Sequence, residues 1–181
     1  PEEQESTDSE TEFPPLPFHP GSELLPGMVT LYDSQTPDQL FTLGAHLGRI
    51  GHPLLILSRI PGNRLEDDFA LPSSLTKWLT EKGEGEQVCK ASLEDIRREI
   101  EGFLFGADRA VIVIDGLEFL VGLHGFDRTI ELIRSLIDSI TTQNHLLMIP
   151  VDLDVFTTRQ RSILIREVDV LDSAKVNHWA E

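Results

Sequence analysis

The stretch Val111-Ile112-Val113-Ile114-Asp115-Gly116-Leu117-Glu118 decides the fold of this chain. Four consecutive β-branched residues run into an acid, a glycine and a second acid three positions after the first. Such a run is typical of a buried central strand in a parallel sheet that ends at a functional edge. In nucleotide-hydrolysing proteins of the P-loop class, a strand like this directs one carboxylate at the water shell of magnesium and another at the attacking water.

The other half of a hydrolytic site, the phosphate-binding loop, belongs in the turn after the first strand. Such a loop needs glycines that expose backbone amides, a lysine, and a hydroxyl for the metal. Here the turn reads Tyr32-Asp33-Ser34-Gln35-Thr36-Pro37-Asp38, with no glycine, no lysine and two acids that repel phosphate. The Gly-rich segment at residues 83–85 is surrounded by Glu81, Glu84 and Glu86. The sequence therefore argues against ATP hydrolysis.

Short apolar runs alternate with amphipathic segments along the rest of the chain. Capping boxes open predicted helices at Thr36 and Thr157, Ser92 caps a third helix, and a fourth begins near Gly125. Strands are predicted at residues 28–32, 54–57, 75–79, 110–115 and 146–149, and residues from 169 onward are predicted to fray. This alternation predicts an α/β fold in which a mostly parallel sheet is flanked by helices on both faces.

Composition divides the chain into three parts. Residues 1–26 carry seven acids and no Lys or Arg, and they are rich in proline; we interpret them as a disordered acidic tail or linker. Residues 27–171 are predicted to form a single α/β domain, and residues 172–181 a carboxyl-terminal tail. An alternative function for the first part is a motif that docks a partner through three apolar side chains: Phe13, Leu16 and Phe18.

Charge and cysteine content restrict the classes of partner. The net charge of −16 argues against binding a nucleic-acid backbone, which requires basic patches. Cys89 is the single cysteine, so no disulfide framework exists, and the thiol is interpreted as structural. No apolar run is long enough to span a bilayer. We therefore expect a cytoplasmic protein that does not insert in a membrane; because the chain begins at Pro1, we expect a processed form or a piece of a larger protein.

Four acids follow predicted strands or lie close to their ends, and the carboxyl ends of parallel strands meet at one edge. Asp33, Asp115, Glu118 and Asp152 would form an acidic rim there, suited to magnesium with a nucleotide. The alternative is that Asp115 caps the next helical turn while the others lie in solvated loops, and we expect no cofactor. His124 is placed in a loop near this edge, and the six histidines share no metal-ligand spacing.

Several short segments stand in a characteristic order and spacing in the second half of the chain. They are Val113-Ile114-Asp115-Gly116-Leu117-Glu118-Phe119-Leu120, then Gly125-Phe126, Leu147-Met148-Ile149-Pro150-Val151-Asp152, and a final helix ending near Arg166-Glu167. On these segments the chain, from Met28 to about Leu171, resembles an archaeal family known as domain of unknown function 835. One departure is Asp152-Leu153-Asp154, where the family commonly has Asn or Asp followed by Pro.

This resemblance implies a degenerate relative of the RecA/KaiC-type core, which keeps the acidic central strand without the phosphate loop. Such domains often stand at the carboxyl-terminal end of longer sensory or regulatory chains. No activity is established for the family, so no catalytic residues carry over. We expect a non-enzymatic regulatory or scaffold module that binds another protein or itself. The alternative is a weakly hydrolytic domain that binds a nucleotide or magnesium through Asp115 and Glu118.

Overall fold

The fold is built on one sheet whose neighbouring strands all run parallel. The computed structural model describes residues 27–171 and Val176, and within these residues the sheet has seven strands. In chain order they are β1 (Val29–Asp33), β2 (Leu54–Ser58), β3 (Thr76–Thr80), β4 (Val88–Lys90), β5 (Val111–Ile114), β6 (Leu146–Val151) and β7 (Asp169–Leu171). Across the sheet their order is β4-β3-β2-β5-β6-β1-β7. The predicted parallel sheet is confirmed.

Helices cover both faces of the sheet, as the alternation of the sequence predicts. They are α1 (Asp38–Arg49), α2 (Gly62–Phe69), α3 (Leu93–Leu104), α4 (Leu117–His124), α5 (Phe126–Thr141) and α6 (Thr158–Glu167), with short 3-10 turns at Ser73–Leu75 and Leu153–Val155. Buried side chains of α1 and α2 pack on one face, and those of α3, α4, α5 and α6 pack on the other. The domain therefore has three layers.

The central strand β5 explains why its sequence is apolar at every position. Val111 and Val113 pack in the layer of α1 and α2, whereas Ile112 and Ile114 pack in the layer of α3 to α6. Strand β5 also lies between β2 and β6 in the sheet. A strand covered on both faces has no solvent side, so its residues need not alternate between polar and apolar.

Two of the three predicted caps form, and one does not. Ser92 accepts a hydrogen bond from the backbone N–H of Asp95, and Thr157 forms a capping box with Gln160. The capping box predicted at Thr36 is wrong, because α1 begins after Pro37 with no side-chain cap. The N–H of Thr36 instead donates to the hydroxyl of Ser34, 3.3 Å away. A local hydroxyl-to-backbone turn thus takes the place of the box.

Four elements of the structure were not predicted from the sequence: α2, α4, β4 and β7. Helix α2 has only eight residues and buries only Leu65 fully, and α4 is apolar around much of its circumference. Strand β4 has three residues and pairs with β3 across the short connection at residues 81–87. The prediction that residues from 169 onward fray is wrong for β7, which pairs with β1 and buries Leu171. Elements this short carry too little periodicity to be recognised.

Several predictions concern residues outside the described part of the chain. The acidic segment 1–26, with Phe13, Leu16 and Phe18, lies there, as does residue range 172–181 apart from Val176. Their interpretation as tails and as a docking motif stays a prediction. Within the described residues, no helix combines the length and the apolar character needed to cross a membrane.

Candidate functional site

The carboxyl ends of the parallel strands meet at one edge of the sheet, and the four predicted acids lie along it. Asp33 ends β1, Asp115 directly follows β5, Glu118 lies in the first turn of α4, and Asp152 directly follows β6. The helices after β2 and β5 pack on opposite faces of the sheet. In an open parallel sheet, a crevice forms between two strands whose helices diverge in this way.

Asp115 is directed at the neighbouring strand β2. Its carboxylate accepts a hydrogen bond of 2.7 Å from the hydroxyl of Ser58 and another from the backbone of Arg59. Burial raises the pKa of Asp115 most strongly, the Ser58 hydrogen bond lowers it, and the charge of Glu118 raises it further. Gly116, and not Asp115, is the residue before the first turn of α4. The alternative in which Asp115 caps that turn is therefore wrong.

The other three acids accept hydrogen bonds from the loop after β6. Glu118 accepts one of 2.8 Å from the backbone N–H of Asp152, and Asp33 accepts one of 3.0 Å from that of Leu153. The side chain of Asp152 accepts one of 3.0 Å from the N–H of Asp154. These bonds attach the end of β6 to α4 and to β1. Three of the four acids thus join neighbouring elements of the sheet edge, whereas the bond of Asp152 stays within its own loop.

Arg59 is a member of this edge that the sequence analysis did not single out. Its guanidinium lies 3.7 Å from the centre of the Phe119 ring and donates a hydrogen bond to the carbonyl of Leu79. Its backbone carbonyl accepts a hydrogen bond of 3.2 Å from the indole of Trp78. The only signal in the sequence is its position directly after β2, because the contact with Phe119 joins residues far apart in the chain.

Gly116 is required where β5 turns into α4. Its φ angle is +134°, a conformation that side chains with a Cβ rarely adopt. A Cβ at this position would also lie 3.1 Å from Cγ of Arg59 and 3.4 Å from Cδ2 of Leu79. The glycine therefore lets Arg59 lie close over the end of β5.

A cavity of about 300 Å³ opens at this edge between the two halves of the predicted site. The turn after β1 lines one side, and Asp115, Glu118, Asp152 and Val155 line the other. The fold thus places the phosphate-loop position opposite the acidic end of β5, although the turn lacks the residues of a phosphate loop. In the described part of the chain, no three side chains among His, Cys, Asp and Glu are grouped to hold a metal ion.

A larger cavity, of about 480 Å³, lies between the amino termini of α5 and α6. The side chains of Arg128 and Arg159 line it, and neither side chain makes a hydrogen bond or ion pair with another described residue. No side chain caps α5, so its amino terminus adds positive potential. His124 also lines the cavity; it ends α4 and hydrogen-bonds the carbonyl of Ala91 at 2.7 Å, so its predicted loop position is wrong.

Cys89 lies away from both cavities, inside the core next to α3. Its side chain is buried, and burial raises the pKa of the thiol to about 12. A thiol at neutral pH is a poor nucleophile compared with its thiolate. This environment agrees with the structural role predicted for Cys89.

Substituting Gly116→Ala should destabilise the domain by about 1–3 kcal/mol, because alanine is strained at this positive φ and contacts Arg59. The matched control is Gly122→Ala in α4, where a Cβ meets no atom within 4 Å. This change should stabilise the domain by about 0.5–1 kcal/mol. Urea unfolding followed by circular dichroism measures both. Equal effects of the two substitutions would contradict the account of Gly116.

Asp115→Asn should leave the domain at least as stable as the wild type at pH 7, because it removes a buried charge and keeps a hydrogen-bond acceptor. A carboxyl whose pKa is raised by folding contributes most below that pKa and least above it. The advantage of Asn should therefore shrink as the pH falls through the raised pKa of Asp115. Asp115→Ala, which leaves the hydroxyl of Ser58 without its acceptor, should cost about 1–3 kcal/mol. Urea midpoints between pH 3.5 and 8 test both expectations.

The comparisons with known proteins agree with the resemblance drawn from the sequence. A search of curated proteins found no match. The family model described as protein of unknown function DUF835 matches residues 34–168, which include the edge acids Asp115, Glu118 and Asp152. The match covers more than half of the chain and spans the sheet from the turn after β1 to the end of α6. The chain belongs to the DUF835 family.

Proposed function

We propose that this domain is a non-enzymatic regulatory or scaffold module that binds another protein or a second copy of itself. One observation carries the proposal: the four acids at the carboxyl edge each accept a hydrogen bond from within that edge. Carboxylates that hold loops in place serve the fold first. Enzymes built on a parallel sheet carry out their chemistry in this crevice. Here the acids that would be expected to act as catalytic groups hold the crevice together instead.

The directions of Asp115 and Glu118 support the absence of hydrolysis. Magnesium-assisted phosphoryl transfer needs one group that holds the metal and another that orients the attacking water at the same phosphate. Asp115 bonds to Ser58 on one flanking strand, whereas Glu118 bonds to the backbone of Asp152 beyond the other. The two carboxylates therefore form their hydrogen bonds on opposite sides of β5. The turn after β1 adds no lysine or glycine to bind phosphate.

Exposed apolar side chains on α6 and β7 support an interaction surface. Ile165 on α6 is 52% exposed and Val170 on β7 is 39% exposed. Strand β7 pairs with β1 on one side and, among the described residues, has no strand on its other side. An edge strand presents unpaired backbone groups that pair readily with another chain. We therefore assign self-association to the surface formed by α6 and β7.

The substitution Ile165→Asp should shift the chain toward monomer, because a charge on α6 would be buried on association. We expect the dissociation constant to rise about tenfold or more, which corresponds to roughly 1.4 kcal/mol. Light scattering coupled to size-exclusion chromatography over a range of concentrations measures the mass.

The matched control is Leu123→Asp on α4, a leucine that is 38% exposed and lies outside the α6–β7 surface. It should leave the association unchanged. A wild-type chain that stays monomeric at the highest concentration would refute self-association through this surface.

A second candidate function is the binding of a nucleotide or a divalent cation, with weak hydrolysis at most. The cavity at the carboxyl edge favours it, since Asp115, Glu118 and Asp152 line it opposite the turn after β1. Binding of a nucleotide or cation also agrees with descent from a RecA-type core. The acidic end of β5 supports such a descent. Magnesium would supply the charge that brings phosphate to an acidic edge.

Thermal unfolding with magnesium and ATP, GTP or a cyclic nucleotide separates the two candidates. A ligand that binds the folded chain raises the melting temperature by mass action. If the second candidate is right, the shift appears in the wild type and is lost in Asp115→Asn, while Asp138→Asn on the exposed face of α5 keeps it. No shift at millimolar ligand would remove nucleotide binding from consideration.

A further inference from the structure

Two buried histidines hold the turn that leads into β5, at the edge of the sheet opposite the acids. The ring Nδ1 of His52, just before β2, lies 3.1 Å from the carbonyl of Arg109. The backbone N–H of Ala110 donates to Nδ1 of His145, just before β6, over 3.0 Å. The side chains of His52 and His145 are 4% and 0% exposed. Each strand that flanks β5 is thus preceded by one histidine, and the two rings contact the residues just before β5.

The hydrogen bonds assign opposite tautomers to the two rings. A carbonyl only accepts, so His52 carries its proton on Nδ1, and its buried Nε2 has no partner among the described residues. His145 accepts at Nδ1, so its proton lies on Nε2, which is 3.3 Å from Oε1 of Gln143. A second proton would face the N–H of Ala110 at His145 and a buried space without an acceptor at His52. Both rings are therefore built to stay neutral.

The charges around the rings do not change this preference. Asp108 favours the charged form of both rings; at His52 the hydrogen bond to the carbonyl of Arg109 also favours it, whereas the charge of Arg109 opposes it. Burial is the largest effect and lowers the pKa of His52 and of His145 below 6.5, their ordinary value. The folded chain thus binds fewer protons than the unfolded chain between the lowered pKa values and 6.5. The stability contributed by the neutral rings is complete above that range and is lost as the pH falls through it.

The backbone at this turn is held in a conformation that other residues must maintain. Arg109 has a φ angle of +50° and Asn144, just before His145, one of +59°. Asparagine tolerates the left-handed region, whereas arginine is strained there unless its surroundings hold it. The bond from His52 to the carbonyl of Arg109 supplies that restraint. The carbonyl of His145 also accepts a 2.7 Å hydrogen bond from Gly27, the first described residue.

We propose that His52 and His145 form a proton-sensitive latch that holds Ala110 at neutral pH and releases it on mild acidification, when a proton on Nδ1 of His145 removes the acceptor of the Ala110 N–H. The bond from His52 to the carbonyl of Arg109 survives, because His52 takes up its second proton at Nε2. The release is local, because Val111 still donates to the carbonyl of Pro53, and Leu146 to that of Ala110. Strand β5 stays in the sheet while the turn before it relaxes.

Amide hydrogen exchange by NMR tests the latch in the full chain. Between pH 7.5 and 4.5, the protection factor of Ala110 should fall, by up to tenfold per pH unit for the proton that His145 takes up. The protection factor of Val113, in the middle of β5, should stay constant. In the double variant His52→Asn and His145→Asn, the amide groups replace the ring Nδ1 contacts without titrating, so the fall should disappear.

The matched control is His46→Asn, a histidine on α1 outside the latch, which should behave as the wild type. A double variant that loses protection as steeply as the wild type would refute the proposal. Should the double variant fail to fold, the ring resonances of the wild type decide. The latch requires His145 to be the Nε2–H tautomer at pH 7.5 and its titration to coincide with the loss of protection at Ala110. A different tautomer, or a midpoint apart from that loss, would overturn it.

Discussion

The burial of β5 on both faces and along both sides is the constraint on which the rest of the structure depends. A strand placed between β2 and β6, and between two helical layers, is shielded from water on both faces and along both sides. Polar groups at its ends must find partners within the protein, because a buried group without a hydrogen bond costs about 1–3 kcal/mol. The side chains that supply these partners come from the neighbouring strands, and they form both of the polar clusters described above.

At the carboxyl end, these partners are charged. Asp115 is partly removed from water, which disfavours its ionised form, and the hydroxyl of Ser58 and the backbone of Arg59 offset part of that cost. On the other side of β5, Glu118 and Asp33 accept hydrogen bonds from the loop after β6 and hold that loop in place. A row of acids that would repel one another in isolation is separated into pairs of acid and donor. This arrangement explains how an acidic edge is compatible with a stable sheet.

The sequence predicted the elements whose signals are local. The apolar run of β5, the cap at Ser92 and the capping box at Thr157 each act over a few residues, and all three form as expected. Elements that depend on tertiary contacts were missed: β7 exists because β1 offers it a partner, and α4 has no polar face to reveal its period. The acids of the candidate site could be named from their positions after strands, but their donors could not. Arg59 over Phe119 and the histidines at Ala110 join residues too distant for any spacing rule.

The position of Arg59 has a consequence for how the edge responds to its surroundings. Burial raises the pKa of Asp115, and the positive charge of Arg59 offsets a small part of that rise; contacts with Phe119 and the carbonyl of Leu79 hold the guanidinium in place. The acidic end of β5 thus carries a countercharge that is covalently part of the chain and does not depend on the ions in solution. In a molecule with 31 acids and 15 bases, most of the electrostatic field varies with salt.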